Sequence, residues 1–251
     1  MAKQAGIIKL KGTIGGVSFY KSQDGYLARE KGGVEKERIM TDPAFQRTRE
    51  NGAEFGAAGK AVKFVTSAFR PVIRNAADGR VTSRLITDMV KVIQADTVNP
   101  RGRRTVSDGD LNLLKGFEFN NRSKLSSTVY VPYTRTIDRT TGEVEVSLPA
   151  FVPENGIVAP AGTTHFSITA VGCEMDFANG DFIQDMQSSM VYPYDSNATT
   201  PSALTMPLTP NSTHPIFLVV GVQFFQEVNG VNYPLKNGTY NAVALTDVDV
   251  P

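Results

Sequence analysis

The side chains able to do chemistry in this chain are few and scattered. A histidine metal site needs ligands that converge, as two His one helical turn apart do. His165 sits in the alternating run Thr164-His165-Phe166-Ser167-Ile168 and His214 just before Pro215, with no second His near either. Each reads as a histidine satisfying a local hydrogen bond. Cys173, the one cysteine, falls in a predicted strand, where a thiol is usually a small hydrophobe; without a positioned His it is a poor nucleophile. A single Cys also excludes an intrachain disulfide. Carboxylates offer more: Glu174 and Asp176 share a strand face, and Asp181 and Asp185 follow across the Asn179-Gly180 turn, so the four can converge into an acidic patch of the kind calcium takes. A solvated edge guarded by charge against unwanted pairing explains them more cheaply. Gly12, Gly15 and Gly16 look like a phosphate loop, but no Lys-Ser/Thr pair or helix start follows, and a strand turn needing positive φ suffices. Arg101, Arg103 and Arg104 are able to grip phosphates, although three loop arginines without nearby aromatics more often face solvent or carboxylates. No catalytic residue, metal ligand or cofactor follows from these patterns, and a non-enzymatic protein is expected.

Stepping outward, 41% hydrophobic and 20% charged residues in a chain of 251 suit a folded protein with a sizeable core rather than a disordered one. The net charge of +1 hides a division. Residues 1–105 hold 20 Lys and Arg against 10 Asp and Glu, and residues 106–251 hold 6 against 15. Such polarity fits a polyanion contact by the basic half, or head-to-tail association between copies. No apolar run is long enough to span a membrane, and Lys9 and Lys11 interrupt any signal-peptide core, so synthesis in the cytoplasm is expected, with the final location open between the cytoplasm, a released filament and a virion-like particle.

Three regions are expected: a Gly-rich β-hairpin arm over 1–40, a helical region with the arginine loop over 41–115, and an immunoglobulin-like β-sandwich over 116–251. In the arm, residues 6–11 (GIIKLK), 17–22 (VSFYKS) and 26–29 read as strands of a meander, separated by Gly-rich and Asp24-Gly25 turns. So small a sheet is marginal alone and needs a surface to lie on. Thr41 or Asp42 followed by Pro43 starts a helix. Phe45, Thr48, Gly52, Phe55, Gly59, Val62, Thr66 and Phe69 then recur at spacings of three and four, among further small residues that let a second backbone approach. Pro71 should end or kink that helix. A second helix is predicted over about 78–96, with Val81, Leu85, Met89 and Val92 in one stripe, followed by a short turn over 111–114.

From about Leu125 strands are expected over 128–137, 142–148, 163–175, 181–192, 202–208, 215–228 and 239–248. The run from Pro215 to Val222 is apolar on both faces and should be a central, doubly covered strand. Together these give an α+β fold, an N-terminal β-hairpin arm and two helices followed by an antiparallel Ig-like sandwich. The stretches Gly12-Thr13-Ile14-Gly15-Gly16-Val17-Ser18-Phe19-Tyr20-Lys21, Asp42-Pro43 through Arg47, Arg49 and Phe55, and Gly221-Val222-Gln223-Phe224-Phe225-Gln226-Glu227-Val228-Asn229-Gly230 resemble small proteins common in Bacteroidota, a family designated only as a domain of unknown function. The resemblance implies a bacterial or phage-derived origin and the same order of arm, helix and β-domain. It brings no activity or cofactor.

The function expected from this layout is self-assembly into a homopolymer, a filament, tube or shell. Ile7, Ile8, Leu10, Val17, Phe19, Tyr20 and Leu27 of the arm, with Phe45, Phe55, Val62 and Phe69 of the helix, would form the contact. Two other readings are a polyanion-binding module, nucleic acid included, using Arg101, Arg103 and Arg104, and an adhesive or carbohydrate-binding sandwich using Tyr133, Tyr192 and Tyr194.

Overall fold

The computed structural model describes residues 1–30, 32–76 and 78–251, with the side chains of Lys236 and Asn237 left aside. It resolves two compact units, Met1–Glu50 and Asn51–Pro251. The first holds β1 (Ala2–Lys3), β2 (Gly12–Ile14), β3 (Val17–Ser22), β4 (Gly25–Glu30), α1 (Lys36–Thr41) and the start of α2 (Gln46–Ala68). Its strands form one antiparallel sheet in the order β1-β4-β3-β2. Gly15 and Gly16 make the two-residue turn from β2 to β3, and Gly15 at φ 53° supplies the left-handed backbone that this tight turn needs.

Residues 6–11 are not the strand their composition predicts. Residues 6–8 are bends, because β4 takes β1 as its neighbour and the Gln4 side chain occupies the backbone of Leu10. Leu10 N–H donates to Gln4 Oε1 at 2.8 Å, and Gln4 Nε2 donates to the Leu10 carbonyl at 3.2 Å. α1 was also not foreseen, since six residues hold too few apolar repeats to show a helical period. The expected helix start is found: the Asp42 carboxylate accepts Ala44 N–H at 2.9 Å, Pro43 opens a 3-10 turn, and α2 follows. α2 ends at Ala68, and Pro71 lies in the first turn of α3 (Arg70–Ile73), where its missing N–H costs nothing.

The second unit continues with α4 (Val81–Gln94), β5 (Phe117–Glu118), β6 (Thr134–Asp138), β7 (Glu143–Leu148), α5 (Pro153–Gly156), β8 (His165–Asp176), β9 (Asp181–Ser188), β10 (Tyr192–Pro193), β11 (Ser202–Pro207), β12 (Ile216–Val228), β13 (Val231–Pro234) and β14 (Ala242–Asp249). A seven-stranded sheet runs β10-β8-β12-β14-β5, with β9 paired to β8 and β13 to β12. A three-stranded sheet runs β11-β7-β6. β12 shows how the layers are built. Ile216, Leu218, Val220 and Val222 point into a core with Val144, Val146, Leu204 and Met206 of the small sheet. Phe217 and Val219 point the other way, into a core with Val62, Val65, Phe69, Leu85 and Met89 of the helices. Every one of these β12 side chains is buried, as its double-sided apolar pattern requires.

The fold is therefore α+β with antiparallel sheets. The expected two-layer immunoglobulin-like sandwich is not established: a three-stranded sheet packs on one face of the larger sheet, and helices α2 and α4 share a core with its far face. A 3.6-residue apolar period shows that a helix hides one face and leaves open what it hides against, which is why the helices read as a separate region.

Candidate assembly interface

Among the described residues of 1–50, none is buried. A sheet that at most half-buries Phe19, Tyr20, Tyr26 and Leu27 has little of the apolar burial that offsets ~1–2 kcal/mol of backbone entropy per residue. Register divides the arm's expected contact residues between two faces. Ala2, Gly12, Ile14, Val17, Phe19 and Ala28 lie on one, with Ile14 and Val17 exposed. Tyr20 and Leu27 lie on the other, beside Lys3, Ser18 and Arg29, whose guanidinium sits 5.6 Å from the Tyr20 ring. Ile7, Ile8 and Leu10 belong to neither face: they line the β1–β2 loop, with Ile7 at 102% and Ile8 at 81% exposure. These sites are less one surface than a sheet whose more apolar side also carries Lys21 and Glu30, with a sticky loop beside it.

The helix stripe also divides. Val62 and Phe69 are fully buried in the chain's own core and so are not interface residues; they pack with Ala58, Val65 and Ala68, a face the three-and-four count mixed with its neighbour. Phe45 is half-buried in the first unit, with the Arg38 guanidinium 5.8 Å from its ring. Phe55 is 60% exposed. No atom lies within 4 Å of where a Cβ would stand on Gly52, Gly56 or Gly59, so the chain itself does not use the close approach that these glycines permit. In a helix interior each costs ~0.5–1 kcal/mol relative to alanine.

The arginine loop is fastened to α2. Arg101 Nη2 donates to Asn51 Oδ1 at 2.6 Å, Gly102 N–H donates to the buried Glu54 carboxylate at 2.9 Å, and Arg104 Nη1 stands 3.9 Å from the same group. Arg103 is exposed. Asp96, just past α4, holds the loop from within: it accepts the N–H groups of Val98, Asn99 and Thr105 at 2.7 to 2.9 Å. Burial works to raise its pKa, but the bonds from Asn99 and Thr105 outweigh burial and keep the carboxyl far below the usual range. Periodicity does not mark Asp96; its one signal is an acidic residue at a helix end before Thr97-Val98-Asn99-Pro100. A depressed carboxyl stabilises the fold fully above its unfolded value near 3.8 and loses that contribution as pH falls toward the folded one. Asp96→Ala is accordingly expected to lower the urea midpoint at neutral pH and to flatten the acid limb below about pH 4, measured by denaturation across pH; an unchanged acid limb would remove Asp96 from this role.

Both histidines have structural partners, whereas Glu174 Oε2 is buried with no hydrogen-bond partner among the described residues. His165 Nε2 is 3.4 Å from Glu227, and His214 Nε2 is 3.8 Å from Asp176. Cys173 is buried, and burial, then the charge of Glu174, push its thiol up to about 12. Glu174, Asp176, Asp181 and Asp185 share a sheet face by register. No group of three or more His, Cys, Asp or Glu among the described residues stands close enough to hold a metal ion. Tyr192 stacks on Phe166 in the core, Tyr194 donates to the Ile157 carbonyl at 2.9 Å, and Tyr133 is half-buried, so none of them is an open stacking platform. A cleft of about 600 Å³ lies between α2, the 104–108 loop and the β8–β9 turn, floored by Phe64 and Phe177. Its acid, Asp108, is engaged by Asn99 and Thr105. No helix among the described residues is long and apolar enough to cross a membrane. Compared with known proteins, the chain matches no family model, no curated protein and no solved structure.

Proposed function

We propose that this is a non-enzymatic structural protein that assembles with copies of itself into a homopolymer, through its N-terminal sheet and the open face of α2. The observation that carries this reading is that the described part of residues 1–50 forms four strands and a helix without burying a residue. Burial supplied by a neighbour completes such a unit. The exposed glycines and Phe55 of α2 give that neighbour a place for close helix contact. Opposite charge on the two halves orients copies head to tail. A polyanion partner is less well supported, since Arg101 and Arg104 already contact α2.

Purified protein is expected to form ordered filaments, tubes or rings in negative-stain electron microscopy. Light scattering should fall as salt rises from low ionic strength, because the ~10 Å screening length near 0.1 M weakens contacts between exposed charges. Monodisperse monomers at every concentration and salt would reject the proposal.

A further inference from the structure

The seven-stranded sheet leaves one long strand, β9, hydrogen-bonded on one side only, with β11 of the smaller sheet close to it. β9 pairs with β8 through eight consecutive registers, Thr169↔Ser188 to Asp176↔Asp181, without a bulge, and no described strand pairs with its other side. Soluble proteins usually blunt such edges with Lys, Pro or a bulge. β9 has none of these; its guard is the pair Asp181 and Asp185, and it exposes Phe182 and Ile183 between them and Met186 just after. Register sets Asp181 directly opposite Asp176, and like charges so placed repel. From residue 140 to 235 the chain contains nine Asp and Glu and no Lys or Arg, so the neighbouring strands bring this edge no Lys or Arg, although Lys60 and Arg104 line the cleft beside the 178–180 turn. An acidic edge of this kind repels a second copy of itself and admits a basic strand.

Residues 6–11, GIIKLK, are such a strand. They have strand composition and no strand partner among the described residues, and a mismatch of that kind marks a segment whose structure depends on something else. Extended, the segment puts Ile8 and Leu10 on one side and Ile7, Lys9 and Lys11 on the other. β9 puts Phe182, Gln184 and Met186 on one side and Asp181, Ile183 and Asp185 on the other. The alternations match in kind: apolar against apolar on one face, cations against carboxylates on the second.

We propose that the β9 edge of one copy receives residues 6–11 of a second copy as an added strand. The proposal rests on the self-assembly reading and names its acceptor. Docked antiparallel with Leu10 opposite Gln184, the segment gains strand hydrogen bonds in place of those from Gln4, sets Ile8 opposite Met186 and Lys9 opposite Asp185, and leaves Leu10 diagonal to Phe182 and Lys11 diagonal to both Asp181 and Asp185. Donor and acceptor are different surfaces, so each bound pair leaves one of each exposed and growth continues.

Two experiments on the full chain test this. Asp181→Lys with Asp185→Lys, or Lys9→Asp with Lys11→Asp, should each raise the concentration needed for assembly ~10-fold or more; all four together should restore it to within ~3-fold of the parent. No recovery in a four-fold variant that melts like the parent overturns the pairing. Because Cys173 is buried with its thiol pushed up to about 12, introduced cysteines report alone near neutral pH. Mass-tagged Leu10→Cys protein mixed with Gln184→Cys protein at high salt, then brought to low salt under mild oxidation, should cross-link ~10-fold more than with a Thr87→Cys control on α4. Assembly with equal cross-linking to both overturns β9 as acceptor and leaves self-assembly standing. A parent chain that never assembles overturns both.

Discussion

A chain lacking residues 1–33 is expected to remain folded and to stop assembling. The deletion removes all four strands of the N-terminal sheet. Every described buried residue lies beyond Glu50, so both hydrophobic cores survive intact. Loss of unburied surface segments changes stability by only ~0.5 kcal/mol, or ~1–2 °C in Tm for a body of this size. Assembly should be lost altogether, because the exposed Ile7, Ile8, Ile14 and Val17 leave with the strands. A thermal melt reads the first effect, and sedimentation and electron microscopy the second. Polymers that persist would reject the arm's role. A body that unfolds would mean the arm belongs to its core.

The largest stability effect is expected at Phe217. This side chain is fully buried on the helical side of β12, its ring 6.1 Å from Phe177 in an edge contact, and it lies in the core that also holds Phe69, Leu85 and Met89. Phe217→Ala should cost ~3–5 kcal/mol, the transfer energy of the ring plus the cavity left behind. Against a total stability of ~5–15 kcal/mol for an ordinary domain, that is a large part of the whole. Phe55→Ala removes the same ring from an exposed place on α2 and should move stability by no more than ~0.5 kcal/mol while weakening assembly. Urea midpoints for the pair decide the matter. Equal losses would mean that Phe55 is a core residue and would withdraw the open helix face.

What was legible beforehand follows the range of each physical signal. β12 could be read because an apolar run on both faces requires cover on both sides, and Asp42-Pro43 because a cap and a proline act within one turn. Val81, Leu85, Met89 and Val92 were read as one stripe of a helix and are all buried. Residues 6–11 misled because strand composition cannot say whether a partner strand exists in the same chain. Val62 and Phe69 misled because the count along α2 followed phenylalanines and glycines, whereas burial follows Ala58, Ala61, Val65 and Ala68, a face turned slightly away. Of the assembly surface, the residue types were visible in sequence; their division between two faces and a loop needed the register. The β9 edge was seen only as charge, since pairing on one side alone is a property of the sheet.

The stretch without Lys or Arg between Arg139 and Lys236 also governs how the protein is digested. Trypsin has no site there whether the segment is folded or not, so β7 through β13 leave a tryptic digest as one long fragment, while the basic N-terminal half is cut into many. Survival of that fragment is a matter of sequence and carries no information about folding. A protease that cuts at aromatic or large apolar residues would instead find Phe182, Met186 and Met190 exposed on and after the open edge, and its cleavage there would slow once a neighbouring copy covered them.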